Sequence, residues 1–228
     1  MLKNSNLKEF YDHNPFPGPY TASQLQTYGL TWNNRYLAQI DRYLDHGQTV
    51  LDIGSGTGLI TNLFAKRYRS DFIGIDFSQG AEYAQQFARQ NQIDNVTFIQ
   101  KDFFEYNAAK TFDVVICQSF ITHVDDDHAA MQRIQAVMHA GSTLLIGVYN
   151  NWGNWAKKKW RSKGNDRLHL DQYQCPFETA HTHQQILDLC HDMAMLSVIP
   201  SVNNGLVPVC SLFNRANGGL TLYAFRKK

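Results

Sequence analysis

The chain has 228 residues, of which 43% are apolar and 13% aromatic, and its formal net charge is +1. This length and apolar content predict a single domain over residues 1–228 with one core. The near-zero charge excludes a global attraction to nucleic acid or to an anionic membrane, so such binding would need a local patch. No apolar run approaches the roughly 18 residues of a membrane helix, so no membrane partner is expected.

The cysteines are scattered and form no C-x-x-C pair; they are Cys117, Cys175, Cys190 and Cys210. No secretory signal is visible ahead of them. These two features predict reduced thiols and a cytoplasmic location.

The N-terminal residues 1–48 are rich in Tyr, Asn and Pro, and a helix is predicted there only from about Asn33 to Asp45. Residues 49–150 alternate short β-rich runs with amphipathic helical windows. Strands are predicted over 49–54, 71–76, 95–100, 112–118 and 142–149. Helices are predicted over 58–68, 80–91 and 127–140, the last ended by Gly141. This alternation predicts an α/β doubly wound fold whose mostly parallel sheet is covered by helices on both faces.

Residues 151–182 interrupt the alternation with an aromatic and basic insertion of weak periodicity. Long irregular segments in a compact domain are commonly lids or binding loops, so residues 1–48 and 151–182 are predicted to form a cap. Residues 183–228 complete the domain with a last helix and a strand pair. The helical pattern covers 181–195, and strands able to pair antiparallel at one sheet edge cover 195–202 and 219–227.

The strongest chemical signal is the run Asp52-Ile53-Gly54-Ser55-Gly56-Thr57-Gly58, which follows a predicted strand and opens a helix. Glycines permit a tight turn and let a ligand lie against the backbone, while a helix N-terminus offers unpaired amide donors. A dinucleotide fingerprint would need glycine at position 59, which is Leu. Asp76 ends the next predicted strand, in position to accept hydrogen bonds from a ribose.

The pattern D-x-G-x-G-x-G followed by Asp76 resembles the motif of class I S-adenosylmethionine-dependent methyltransferases. The resemblance implies a seven-stranded sheet with the last strand antiparallel, a cofactor-binding core over 49–150, and S-adenosylmethionine as cofactor, released as S-adenosylhomocysteine. It also implies that an acidic residue after the third strand accepts from the adenine amine, and that the loop after the fourth strand meets the methionine part. The implied cofactor-binding residues are Asp52, Gly54, Ser55, Gly56, Thr57, Gly58, Asp76, Phe77, Asp102, Phe103, Gln118 and Ser119.

The resemblance extends over nearly the whole chain. The segments YDHNPFPGPY, FITHVDDDH, LLIGVYN and DQYQCPFETAHT together are similar to a group of bacterial methyltransferase-domain proteins. The first of them contains NPFP, which is reminiscent of the Asn-Pro-Pro-aromatic motif of nucleic-acid base methylation. That motif belongs after the fourth strand, where this chain reads CQSFITHV, so base methylation of that type is not predicted.

Methyl transfer is an in-line displacement that depends on positioning, and it needs a base only when the acceptor must lose a proton. Ligands of open α/β sheets lie outside the carboxyl ends of the strands, which favours His123, Tyr149 and Asn150. The catalytic candidates are His123, Tyr11 and His181. The predicted substrate-binding residues are Phe16, Tyr20, Tyr149, Asn150, His169, Tyr173 and Glu178.

Three functions remain open at this level. The first is a methyltransferase that acts on a small molecule at oxygen, nitrogen or carbon. The second is a methyltransferase on a macromolecule such as tRNA or protein, which would use the basic, Trp-rich stretch 152–163. The third is a cofactor-binding protein without turnover. The oligomeric state is not predicted.

The polar segment HLDQYQCPFETAHTH (169–183) raises the question of a metal site. Its histidines and its single cysteine match no common zinc spacing, so no metal is predicted. Thr182, with Gln185 three residues later, instead predicts a capping box at the start of a helix near His183.

Overall fold

The computed structural model describes residues 5–31, 34–149, 175–200 and 220–228. Within the first 48 residues these include helices α1 (Ser5–His13), α2 (Ala22–Thr31) and α3 (Asn34–Asp41). The prediction of a single helix there was wrong. The signal for α2 was present in the sequence, because Thr21 and Gln24 exchange backbone and side-chain hydrogen bonds as a capping box.

The alternating region follows the predicted order closely. The strands are β1 (Thr49–Ile53), β2 (Asp71–Asp76), β3 (Val96–Gln100), β4 (Phe112–Gln118) and β5 (Met138–Tyr149). The helices are α4 (Leu59–Arg67), α5 (Gly80–Gln90) and α6 (Asp127–Ala136). Short 3-10 helices follow β3 at Phe103–Glu105 and β4 at Phe120–His123.

One boundary in this region was predicted wrongly. Helix α6 ends at Ala136 and β5 begins at Met138, so Gly141 lies inside the strand and does not end the helix. Phe112 pairs with Met138 and Val114 with Thr143, which leaves residues 139–142 in a bulge. The left-handed φ of +91° at Gly141 suits such a bulge.

The last part of the chain contains helix α7 (His183–Leu189) and strands β6 (Met193–Pro200) and β7 (Leu220–Lys227). The predicted capping box of Thr182 and Gln185 is confirmed. The helix is shorter than predicted, because a turn that joins Met193 N to Cys190 O already leads into β6.

The described strands form one seven-stranded sheet in the order β3-β2-β1-β4-β5-β7-β6. β1 to β5 are parallel, and β7 runs antiparallel to both β5 and β6. The predicted fold class, the antiparallel last strand and the antiparallel pair at one edge are therefore confirmed. No helix in the described ranges is long and apolar enough to cross a membrane.

Both faces of the sheet are buried, as the apolar strands predicted. In β1, Leu51 and Ile53 belong to the core beneath α6 and α7, while Val50 belongs to the core beneath α2 to α5. Alternation along the strand places Asp52 on the same face as Val50. A carboxyl group is therefore directed toward α4 at the point where the chain enters the glycine loop.

Candidate functional site

The glycine loop joins β1 to α4 through a run of left-handed residues. Gly54, Gly56 and Gly58 have φ values of +73°, +54° and +73°. A Cβ at Gly58 would lie 2.6 Å from Ala84 Cβ and from the ring of Phe98, so this glycine lets the loop pack against its neighbours. The three positions therefore require glycine for the backbone conformation, and Gly58 also for packing.

Asp76 ties the glycine loop to the end of β2. Its Oδ2 accepts a 2.8 Å hydrogen bond from Gly56 N, and its Oδ1 accepts from Ser78 N at 2.8 Å and from Ser78 Oγ at 2.5 Å. Burial raises the pKa of this carboxyl group, and the three donors counter that effect. An ionised carboxylate has about four acceptor sites, so Asp76 retains capacity for a ligand hydroxyl.

The loop also contains a buried hydroxyl group that the described residues do not satisfy. Ser55 Oγ has no hydrogen-bond partner among them, and it would lie 3.0 Å from a Cβ at Gly74. Unsatisfied buried hydroxyls are uncommon in native structures. Asp76 and the glycine backbone fit a nucleoside-containing ligand at the carboxyl end of β1 and β2.

Asp52 lies beneath the loop, only 4% exposed, and accepts a 2.5 Å hydrogen bond from Thr61 Oγ1. Burial raises the pKa of Asp52 to about 7, the hydrogen bond from Thr61 lowers it, and the charge of Asp76 raises it further. The glycine loop thus rests on a carboxyl group that changes its charge near neutral pH.

Replacing Asp52 with asparagine is expected to stabilise the protein at pH 8. The folded pKa lies above the usual value near 4, so the wild type loses unfolding free energy as pH rises from about 4 to 7, by up to about 4 kcal/mol. Asparagine still accepts from Thr61 but never ionises. Urea unfolding at pH 5 and pH 8 measures the difference, with Asp71→Asn as the control because its side chain is 77% exposed. Identical pH profiles for Asp52→Asn and the wild type would contradict a protonated Asp52.

The residues after β3 present a different surface from the one expected. Asp102 Oδ1 accepts from Phe104 N and caps the 3-10 helix, which is an ordinary structural role. Phe103 is 2% exposed and belongs to the core. Phe104 and Phe120 are partly exposed here, with ring centroids 6.2 Å apart, and neither was among the predicted cofactor-binding residues. The second Phe of the run KDFF was the available signal.

The chain turns sharply after β4 at Gln118 and Ser119. A Cβ at Gly147 would lie 2.4 Å from Gln118 Oε1, so Gln118 lies against the neighbouring strand β5. Ser119 has a φ of +60° and donates its N–H to Gly147 O at 2.9 Å. A left-handed non-glycine residue is strained, and strain of this kind clusters at functional sites. This turn directs the segment 120–123 across the carboxyl end of the sheet.

The N-terminal segment binds the glycine loop through Thr57. Phe16 O accepts from Thr57 N at 2.9 Å, and Gly18 O accepts from Thr57 Oγ1 at 3.1 Å. Tyr20 OH donates to Thr57 O at 3.1 Å. A Cβ at Gly56 would lie 2.3 Å from Phe16 O, so the second glycine admits this backbone approach. Phe16 and Tyr20, predicted to contact substrate, thus lie against the glycine loop.

The Tyr20 hydroxyl also accepts from Asn62 Nδ2 at 3.0 Å, and its ring packs against Phe87 with centroids 4.4 Å apart. Replacing Tyr20 with phenylalanine is therefore expected to lower the unfolding free energy by about 1–3 kcal/mol, because Thr57 O and Asn62 lose a buried partner. Chemical denaturation measures this loss, with Tyr83→Phe as the control because Tyr83 is 40% exposed. Unchanged stability combined with a higher KM for the acceptor would favour substrate contact instead.

Two of the predicted catalytic residues meet although they are 112 positions apart. Tyr11 OH lies 3.4 Å from His123 Nε2, with the two rings edge-to-face at a centroid distance of 5.9 Å. His123 Nδ1 lies 2.8 Å from Phe177 O, so Nδ1 carries the proton and Nε2 is the acceptor. Cys175 Sγ lies 3.7 Å from both Tyr11 OH and His123 Nδ1.

The third catalytic candidate, His181, has different partners. It is 4% exposed, and its Nε2 lies 3.3 Å from Asp127 Oδ2. The backbone N–H of His181 donates to Tyr149 O at 2.8 Å, and the Tyr149 side chain is buried. Burial lowers the pKa of His181, while the hydrogen bond and charge of Asp127 raise it. These contacts join the end of the insertion to β5 and α6.

Several predicted residues lie outside the described ranges: Asn150, His169, Tyr173, Cys210 and the stretch 152–163. Glu178 is described and partly buried, one residue after the Phe177 carbonyl. Nowhere in the described ranges do three His, Cys, Asp or Glu side chains come together as a metal ion would require.

The order of the seven strands and the glycine loop after β1 together define a class I S-adenosylmethionine-dependent methyltransferase architecture. This agrees with the resemblance seen in the sequence. A family model described as a methyltransferase domain matches residues 44–207. The chain therefore belongs to the methyltransferase-domain family.

Individual relatives agree with this assignment. The chain is 30% identical over 102 residues to (S)-tetrahydroprotoberberine N-methyltransferase from Eschscholzia californica, covering 44% of this chain and 29% of that protein. It is 28% identical over 107 residues to the ubiquinone biosynthesis O-methyltransferase of Acinetobacter baylyi, covering 46% and 44%. The chain thus spans less than half the length of these curated relatives.

Solved structures support the fold over the full length. Magnesium protoporphyrin IX methyltransferase from Synechocystis, crystallised with S-adenosylhomocysteine, superposes with a TM-score of 0.64 at 15% identity. The match covers 99% of this chain and 95% of that one. At this level of identity the similarity shows the fold alone.

Proposed function

We propose that the protein transfers a methyl group from S-adenosylmethionine to a small-molecule acceptor. The observation that carries the proposal is the position of the glycine loop, which is joined to Asp76. It lies at the same carboxyl end of the strands as the Tyr11–His123 pair. S-adenosylmethionine can therefore bind at the glycine loop while the acceptor contacts the Tyr11–His123 pair. The names of the two relatives specify N-methylation and O-methylation, so amines and hydroxyl compounds are the first acceptor classes to test.

The proposed cofactor residues lie on the loops after successive strands. Asp76 would accept from the ribose hydroxyls, and the glycine loop would approach the nucleoside with its backbone. Phe77, Asp102 and the partly exposed ring of Phe104 would flank the adenine in place of the buried Phe103, and Gln118 and Ser119 would flank the methionine part. S-adenosylmethionine supplies the methyl group on a positively charged sulfur.

The acceptor side supplies a base for acceptors that carry an N–H or O–H. Tyr11 O would receive the acceptor proton while the Tyr11 proton passes to His123 Nε2, so that one proton enters the pair and the imidazole becomes positively charged. The hydrogen bond from Nδ1 to Phe177 O orients the ring and stabilises the charged form. Helix α1 and the described end of the insertion, residues 175–182, are proposed to cover this site, because Tyr11 and Cys175 approach it from these two segments.

The proposal is tested first by titration calorimetry with S-adenosylmethionine and S-adenosylhomocysteine, where we expect saturable binding of both. Release of S-adenosylhomocysteine is then screened with amines, phenols, carbon acids and tRNA. Turnover with a metabolite supports the proposal. Turnover with tRNA alone would favour a macromolecular acceptor, and absence of binding would exclude both.

A further inference from the structure

Asp12 joins helix α1 to the start of helix α5. Its Oδ1 accepts a 2.8 Å hydrogen bond from Gln79 N, which lies immediately before α5 and is 67 residues away in the chain. A carboxylate at a helix N-terminus is favoured because the unpaired amides there carry partial positive charge. The second oxygen, Oδ2, pairs with Lys8 one turn earlier on α1.

The same turn of α1 carries Tyr11. The Tyr11 ring packs edge-on against Phe77 with centroids 6.2 Å apart, and its hydroxyl reaches His123. Phe77 directly follows Asp76 and precedes Gln79 by two residues. Asp12 therefore binds α1 to the short segment that carries the proposed ribose ligand, while the neighbouring Tyr11 reaches the proposed base.

We propose that Asp12 is a positioning residue that couples cofactor binding to the placement of Tyr11 on His123. The proposal rests on the proposed function for the roles of Asp76 and of the Tyr11–His123 pair. When segment 76–79 holds the cofactor, Gln79 N and Phe77 are fixed, and α1 docks with Tyr11 in place. Coupling between two sites is reciprocal. Loss of the Asp12 contact therefore both weakens cofactor binding and releases Tyr11 from His123.

The variants separate this coupling from a purely structural helix contact. Asp12→Ala removes the acceptor for Gln79 N, and Asp12→Asn keeps an acceptor oxygen without the charge. Lys8→Ala is the matched control, because it removes the ion pair on the same carboxylate and leaves the bond to Gln79. The Lys8 side chain is 48% exposed, and exposed pairs contribute little.

Two measurements are made on the full chain labelled with 15N-histidine. Calorimetry gives the Kd of S-adenosylhomocysteine, and NMR gives the ring-nitrogen resonances of His123, assigned with His123→Gln. We expect Asp12→Ala to raise Kd about tenfold and to shift the His123 Nε2 resonance toward its position in Tyr11→Phe. Asp12→Asn should lie between the wild type and Asp12→Ala, and Lys8→Ala should match the wild type.

The double variant Asp12→Ala/Tyr11→Phe is expected to show the His123 resonance of Tyr11→Phe alone, because both changes remove the same contact. A lower melting temperature in Asp12→Ala, with Kd and the His123 resonance unchanged, would overturn the proposal. If the wild type does not bind S-adenosylhomocysteine, both the proposed function and the coupling of cofactor binding to Tyr11 are excluded. The His123 resonance in the ligand-free protein still reports whether Asp12 places Tyr11.

Discussion

Replacing His123 with glutamine is expected to lower kcat by about 10²–10⁴-fold for an acceptor that must lose a proton. Glutamine can donate to Phe177 O but cannot accept a proton at the position of Nε2. The proposed cofactor residues are left intact, so the Kd of S-adenosylmethionine should change little. Steady-state kinetics with an acceptor from the screen, together with calorimetry, measures the two quantities separately.

The choice of acceptor provides the control for this experiment. A tertiary amine has no proton to lose, so its methylation should be far less sensitive to His123→Gln than that of a phenol. Tyr11→Phe is the matched variant, because it removes only the hydroxyl and keeps the ring against Phe77. Equal losses for both acceptors would indicate that His123 positions substrate and does not act as a base.

Replacing Asp76 with alanine is expected to weaken binding of S-adenosylmethionine and S-adenosylhomocysteine about 10–100-fold, as loss of a charged hydrogen-bond acceptor predicts. The change removes the proposed ribose ligand and also frees Gly56 N and Ser78, which Asp76 holds in place. Calorimetric titration of the purified variant measures the effect.

Circular dichroism must first show that the Asp76→Ala variant is folded, because the carboxylate also organises the glycine loop. Asp71→Ala is the matched control: it lies at the other end of the same strand and has an exposed side chain. That variant should retain wild-type affinity. Unchanged affinity in folded Asp76→Ala would exclude the ribose assignment.

The sheet could be predicted well from the sequence because its signals are local. The bounds of β2 and β4 were predicted to the residue, and the start of β7 within one residue, since apolar runs bounded by Asp, Gly and Lys mark buried strands. The start of β5 was not, because residues 138–142 contain the glycine that commonly ends a helix. Only the pairing of Met138 with Phe112 shows that the strand has already begun.

Helix α1 was missed for a related reason, and α2 had only its capping box as a local signal. The N-terminal segment combines prolines, asparagines and tyrosines, and its helices gain stability from contacts made elsewhere in the chain. Leu7 and Leu25 are 1% and 2% exposed, so these two short helices pack closely against the rest of the chain. Most helical stability in proteins comes from such packing, which composition does not reveal.

The class of site could be predicted from a short stretch of the sequence. Three glycines, Asp52 and Asp76 lie within 25 residues of one another, and their roles follow from a strand, a turn and a helix that are contiguous in the chain. Which of the proposed acceptor-side residues meet could be seen only in the folded chain. Tyr11 and His123 are 112 residues apart, and His123 and Phe177 are 54 apart, so their contacts depend on sheet order and on helix packing. The Asp12–Gln79 bond has the same origin, because a side chain on α1 and a backbone amide 67 residues later in the chain meet only in the folded protein.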